Sequence, residues 1–527
     1  MKVKYIITKK AIEIEGLPLK ADDLGNYRTM VENSIKVPGP ITRHYAFYSR
    51  FKSPMNHQVL TADFACLHKR FFIFNDIGTG KTMIPYWLTD YLQQEGEITR
   101  TLIIAPLSTL EPVHAKTLQE HFPQLSFNIL HGTVKKRMKL LGQPRAVYII
   151  NTDGVKTIAA ALAERNDINA VFIDEVAALR NVQTQRWKIF NELFGVHTGK
   201  LLCGMTGSPM PKDPTDIYGQ VKLINPAMLP QKILWKSGRR RPVSFFEFRD
   251  KVMVPGWSKW EWKTREGWQD IVSKVAQPSI RYERDECCDL PDRVTMERYA
   301  EFSPEQSRNY KELISVMRTE IASGEVITAL NEGDKIRKLH QVACGAIYTD
   351  TINEKKKETT YFDCAPRFEE LCSIIDDVAP SHVLIFTPYK NMPQRIAAEL
   401  NKRYCSKYNL LHKNFAAAWI TGEVSPRLRP EIYRRFNEED LRFIVATPHC
   451  MSHGLNLQFK CWTIVWWSPV RDFEKFEQSE GRITRPGQTK KQMFFRLQGS
   501  TTEREIYKKL DSKESAQNIL LSILKEN

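Results

Sequence analysis

The sequence predicts an α/β fold: two doubly wound parallel-sheet lobes with a mostly helical insertion between them. Three observations carry that expectation. Short apolar runs alternate with amphipathic helical stretches from about residue 51 to 228, and the same alternation returns from about 361 to 510. The octapeptide NDIGTGKT at 75–82 lies between an apolar run and a helix-like stretch. Strands buried on both faces read as continuous apolar runs, and helices must join them when they are parallel.

Residues 1–50 form an N-terminal extension that opens strand-like and becomes loop-rich around PGP at 38–40. The first lobe, 51–228, takes its strands from FFIF, TLIIAP, AVYIINT, AVFIDE and KLLCGMTGS. In the stretch 229–360 aromatic, basic and helical segments replace the pattern. Lys232, Lys236, Arg239, Arg240 and Arg241 are mixed there with Trp235, Trp257, Trp260 and Trp262. Such interleaving clamps phosphates and stacks bases in some proteins, and in others the tryptophans form a satellite core under a basic loop. The second lobe, 361–510, is built from HVLIFTP, AAAWITG, RFIVATP, CWTIVWW and QMFFRL, and 511–527 is a C-terminal tail. Ligands of such sheets sit at the carboxyl ends of the strands.

A chain of 527 residues exceeds one core and suggests two to four domains. No window has the apolar length of a membrane span and no signal-peptide core opens the chain, which argues against secretion. Ten cysteines without a CxxC pair read as reduced thiols of an intracellular protein, with Cys287 and Cys288 expected at a strand edge. A net charge of +16 favours a polyanionic partner, nucleic acid above all, over the alternative of a mere solubility device.

In NDIGTGKT, Gly78 and Gly80 let the backbone curl, with Thr79 between them, so that N–H groups face phosphates. Lys81 would reach the β- and γ-phosphates of ATP, and the Thr82 hydroxyl would ligate Mg²⁺. Asn75 stands where the strict motif has glycine, and a plain strand-to-helix turn with a surface lysine would look similar in isolation. Asp174 and Glu175 end an apolar run: one carboxylate can hold Mg²⁺ while its neighbour orients and deprotonates water. Thr206 and Ser208 follow the next run and could link this site to the second lobe. Gln58, 23 residues before Lys81, has an amide able to pair with an adenine edge. Arg482 and Arg485 are three apart, hence on one face if helical, and guanidinium groups brought to a γ-phosphate stabilise transition-state charge.

Together these pieces resemble a helicase superfamily 2 motor of the Swi/Snf type. NDIGTGKT resembles that family's DEMGLGKT, whose first position is also not glycine. DEVAALRN resembles DEAHRIKN, and TGSPMPKDPTDIYGQVKLINP resembles TGTPIQNNLEELWSLLNFLNP. Gly422 and Arg429 match GxxxxxxR, and WWSPVRDFEKFEQSEGRITRPGQ resembles WNP followed by QAxDRxHRxGQ, with Gln478, Arg482, Arg485, Gly487 and Gln488 in register. Ala177 departs from the motif's His, and in the fifth motif only Gly454, Asn456 and Leu457 match.

The resemblance implies two RecA-like lobes that close on Mg²⁺-ATP, bringing Arg482 and Arg485 to the phosphate held by Lys81. It adds Gly454 and Gln478 to the nucleotide contacts, and Ser108, Thr109, Thr152, Lys390, Thr447 and Asn456 as contacts to a nucleic-acid backbone. The implied activity is a DNA-dependent ATPase that moves on duplex DNA without reading sequence, in a minimal viral or microbial member acting in the cytoplasm. A strand-separating helicase and a nucleic-acid-binding scaffold with a decayed ATP site are the alternatives.

Overall fold

The structure, a computed structural model, describes residues 7–8, 11–14, 17–20, 39–47, 53–233, 240–256, 262–287, 289–322, 329–349, 358–405, 416–425, 428–439, 441–451 and 457–512. These fall into two compact units that divide after Cys287. Among the described residues no helix is long and apolar enough to cross a membrane.

The first unit is organised by seven parallel strands: β1 (Arg70–Ile73), β2 (Arg100–Ala105), β3 (Phe127–Ile129), β4 (Val147–Asn151), β5 (Ile168–Asp174), β6 (Leu201–Met205) and β7 (Ser279–Ile280), in the order β7-β1-β6-β5-β2-β4-β3. Side chains alternate across a strand, so each apolar run feeds two cores. Phe71, Ile73, Ile103, Ile149 and Phe172 pack on one face with α1 (Asn56–Leu67) and α2 (Ile84–Gln94). Phe72, Leu102, Ile150 and Val171 pack on the other with α3 (Gln185–Phe194) and α4 (Asp216–Ile224).

The second unit has six parallel strands: β8 (Arg293–Tyr299), β9 (His382–Phe386), β10 (Ala417–Ile420), β11 (Phe443–Ala446), β12 (Cys461–Trp466) and β13 (Gln492–Gln498), in the order β8-β13-β12-β9-β11-β10. Val383, Ile385, Phe443 and Val465 face one core; Leu384, Phe386, Ile444 and Trp466 face the other. The expected pair of doubly wound α/β lobes is therefore present.

The stretch 229–360 is less of an insertion than its composition suggests. It gives each sheet an edge strand, β7 to the first and β8 to the second, and the units part within it. Periodicity hides both strands, because β7 has two residues and β8 alternates exposed with half-buried positions instead of presenting an apolar run. Cys287 closes a four-residue helical turn, Arg284–Cys287, and does not sit at a strand edge; Cys288 lies outside the described residues.

Before β7, the strand pairs Gln231–Ile233 with Arg240–Pro242 and Met253–Pro255 with Trp262–Thr264 flank a helix at Phe245–Val252. The Glu247 carboxylate pairs with Lys232 at 2.7 Å and Arg241 at 3.1 Å, and the Arg249 guanidinium lies 3.7 Å from the Trp262 ring centroid. Lys232 and Arg241, two of the three basic-cluster residues described, are thus tied into their own subdomain. Trp235, Lys236, Arg239, Trp257 and Trp260 lie outside the described residues.

Candidate nucleotide site

Strand β1 delivers the chain into a turn at the carboxyl edge of the first sheet. Gly78 (φ 91°) and Gly80 (φ 76°) both take the left-handed conformation that favours glycine. Gly80 is further constrained because a Cβ there would run into the Gln58 amide. One 3₁₀ turn, Lys81–Met83, then leads into α2. Lys81 Nζ folds back over the loop and donates to Asn75 O at 2.6 Å and Asp76 O at 2.8 Å. Burial pushes the Lys81 pKa below its ordinary value, opposed by Glu175, Asp174 and Asp76, which places this cation in the electrostatic reach of all three carboxylates.

Asn75, the departure from the strict motif, uses its side chain. Its amide donates to Thr61 Oγ1 of α1 at 3.0 Å and accepts from Tyr282 N at 3.0 Å, so the loop's first position joins a helix to the segment after β7. Gln58 Nε2 donates to Gly80 O at 3.2 Å while its Oε1 accepts from Met55 N at 2.9 Å. Main chain thus holds both ends of the amide, which braces the loop in this structure. His57, unremarked in the sequence, does the same work: its Nε2 lies 2.8 Å from Thr79 O.

Asp174 and Glu175 follow β5 at the same edge. Glu175 is the one non-glycine among the described residues with positive φ, 57°, a strained backbone of the kind that collects at functional sites. Its Oε2 accepts from Thr206 Oγ1 at 3.2 Å, and Thr206 Oγ1 accepts from Ser208 N at 3.1 Å. The acidic pair is thereby joined directly to the TGS segment, without the imidazole that Ala177 replaces. His114, in the segment beyond β2, faces the other carboxylate and is backed by Tyr86 of α2. His114 Nε2 is 3.5 Å from Asp174 Oδ2 and Nδ1 is 2.7 Å from Tyr86 Oη.

Hard oxygen donors, the Thr82 hydroxyl and the Asp174 carboxylate, suit Mg²⁺. Among the described residues no cluster of three His, Cys, Asp or Glu could cage a metal. Mg²⁺ carried on phosphates asks only one or two oxygens of the protein, so the residues fit that group.

In the second unit, α5 (Phe473–Glu480) ends before Arg482, so Arg482 and Arg485 lie in turns and not on a shared helical face. Arg482 is buried with Nε donating to Gln478 O at 2.9 Å, and Arg485 Nε donates to Gly481 O at 2.9 Å. Burial pushes the Arg485 pKa down to about 10. Gln478 is buried, and Gln488 ties the same turn to the start of β12 by donating to Gln458 O at 3.1 Å and Cys461 O at 3.0 Å. Arg429 closes the turn after β10 by donating to Thr421 O at 2.9 Å and Val424 O at 3.2 Å.

The expected backbone-contact residues that the structure describes follow strand ends. Ser108 is exposed and Thr109 buried beyond β2, and half-buried Thr152 follows β4. Lys390, beyond β9, is exposed and pairs with Glu423 at 2.8 Å; Thr447 follows β11 and is buried. Gly454 and Asn456 lie outside the described residues.

Comparison with known proteins gives this arrangement a family. The helicase conserved C-terminal domain matches residues 366–487. Protein p41 of Acyrthosiphon pisum secondary endosymbiont phage 1 is 22% identical over 490 residues, covering 90% of this chain and 99% of p41. The Sulfolobus solfataricus SWI2/SNF2 ATPase core in complex with dsDNA is 20% identical with a TM-score of 0.39, over 90% of this chain and 95% of that one. The ATPase core domain from the same organism gives 20% and 0.38, over 89% and 90%. The SNF2-related domain matches residues 65–360, more than half of the sequence, and the chain accordingly belongs to this family of helicase-like, ATP-hydrolysing proteins.

Proposed function

We propose that this protein is a DNA-dependent ATPase that translocates on duplex DNA and remodels DNA or protein–DNA complexes inside the cell. The observation that carries the reading is the meeting, at one sheet edge, of the Lys81 loop with Asp174 and a strained Glu175 tied to Thr206. Family membership across both units and the +16 charge support it.

Lys81, released from its own loop carbonyls, binds the phosphates together with the N–H groups of Gly78, Thr79 and Gly80. Gln58, Gly454 and Gln478 complete the proposed nucleotide contacts. Thr82 and Asp174 would hold Mg²⁺, which neutralises and orients the phosphates when bound. Glu175 orients the attacking water and accepts its proton, and Arg482 and Arg485 of the second unit supply the guanidinium charge the transition state needs. Ser108, Thr109, Thr152, Lys390, Thr447 and Asn456 grip the DNA backbone; contacts of this kind position without reading bases, so binding is independent of sequence. Residues 51–228 and 361–510 are the two motor modules in this reading.

ATP turnover without DNA, with single strands and with duplex, at stated salt, tests it. Strong stimulation by duplex is expected, with Lys81→Ala inactive and Glu175→Gln binding ATP without hydrolysing it. Stimulation by single strands alone would replace translocation with strand separation, and no turnover under any condition would leave a binding scaffold.

A further inference from the structure

We propose that His114 is a positioning residue for Asp174, held in place by Tyr86. The inference rests on the reading of Asp174 as the Mg²⁺-side carboxylate. His114 and Tyr86 are fully buried, whereas the Asp174 side chain keeps 20% of its exposure at the sheet edge. Tyr86 lies in the first turn of α2, the helix launched by the phosphate loop, and His114 in the π-helical turn Leu110–Ala115 beyond β2. A single imidazole thus connects three pieces of the site's frame.

The ring's neighbours favour one placement of its proton. A carboxylate facing Nε2 favours the tautomer with the proton there, and Nδ1 then accepts from the Tyr86 hydroxyl 2.7 Å away. The ring proton then sits on Nε2, which faces Asp174 Oδ2 at 3.5 Å. Nε2 is a buried nitrogen without another hydrogen-bond partner, and leaving such a group unpaired is costly. A carboxylate is its only neighbour of the right sign among the pairs the structure shows. At 3.5 Å the contact is electrostatic; a slight tightening makes it a hydrogen bond that fixes the carboxylate's rotation. Donors behind a ligating carboxylate typically change metal affinity by about 10- to 100-fold when removed.

The motif reading directs attention to position 177, where the family's histidine is Ala177. The imidazole that touches the acidic pair comes instead from a different element, and it meets Asp174 and not the Thr206 segment. Nothing in local sequence marks it, because His114 follows Asp174's strand neighbour in space and precedes Asp174 by sixty positions in the chain.

The test is equilibrium binding of a fluorescent ADP analogue to the full chain, titrated with Mg²⁺ and repeated in EDTA, alongside steady-state ATP turnover. For His114→Ala the expected results are unchanged affinity in EDTA, an Mg²⁺ half-saturation raised about tenfold, and a lower kcat at nearly unchanged KM. His114→Gln, which keeps an N–H donor, should recover part of the shift, and Tyr86→Phe should show a smaller shift in the same direction. If His114→Ala does not fold, Tyr86→Phe decides alone. Wild-type Mg²⁺ dependence in the deciding variant, with Asp174→Ala shifted, overturns the role of His114 and leaves the site reading standing. Wild-type Mg²⁺ dependence in Asp174→Ala removes the reading of Asp174 itself, and the positioning role with it.

Discussion

Arg281 Nη2 stands 2.8 Å from Asp76 Oδ1, and the same guanidinium donates at 2.7 Å to Phe74 O, 207 residues earlier in the chain. The segment after β7 is thereby bolted to the phosphate loop, and Asp76 N→Tyr282 O at 3.0 Å and Arg284 N→Asp76 Oδ2 at 3.1 Å extend the seam. Arg281 is almost fully buried, so its removal strands a carboxylate and a carbonyl together. Arg281→Ala should destabilise the first unit by about 3 kcal/mol and raise KM for ATP. Arg281→Lys should recover little, since an ammonium cannot span both acceptors. Urea unfolding reads the first effect; a change below about 0.5 kcal/mol would show that the seam is incidental.

Glu175 holds a left-handed backbone that costs an ordinary residue about 1 kcal/mol and glycine almost nothing. Glu175→Gly should therefore raise the melting temperature while abolishing turnover. A variant that is both less stable and inactive would mean that the Thr206 hydrogen bond outweighs the strain.

In the second unit the Arg367 guanidinium meets the Glu503 carboxylate twice at 2.8 Å, with both groups buried. Glu503→Gln leaves an uncompensated buried cation and should cost about 3–5 kcal/mol. The double variant Arg367→Met, Glu503→Leu should lie much closer to wild type. Denaturant midpoints for the three proteins decide, and additive losses would contradict the pairing.

His340 lies beside that pair, with Ser468 Oγ 3.0 Å from Nε2 and Tyr389 Oη 3.1 Å from Nδ1. Burial lowers its pKa to about 4, aided by Arg471 and Arg367 and opposed by Glu503. Because the folded value is below the unfolded value of about 6.5, the stability is fully present above pH 6.5 and is lost as pH falls towards 4. The linkage is worth up to about 3 kcal/mol. Unfolding curves from pH 7 to 4 should show it, and His340→Gln should flatten the dependence; an identical slope in that variant would assign the loss to other groups.

The sequence by itself determined what depends on neighbours along the chain. Burial on both faces writes parallel strands as apolar runs, so ten of the thirteen sheet strands overlap runs read directly from residues, as FFIF overlaps β1 and CWTIVWW contains β12, while the three-residue β3 escapes them. Local chemistry likewise marked Gly78, Gly80, Lys81, Asp174 and Glu175, because a phosphate loop and a strand-end acidic pair are contiguous patterns. Spacing puts Arg482 and Arg485 on one face only if that stretch is helical, and the helix stops at Glu480.

Tertiary structure decided what depends on distance through space. Edge strands β7 and β8 carry too little apolar pattern to announce themselves, and pairing with β1 and β13 defines them. Asn75 makes sense only once Thr61 and Tyr282 flank it, and Gln58 only once Gly80 lies against it. Arg281 and His114 owe their roles to chain segments that folding brings beside Asp76 and Asp174. Hydrogen bonds and ion pairs act over a few ångströms whatever the separation in sequence, which is why those partners become legible only in the folded chain.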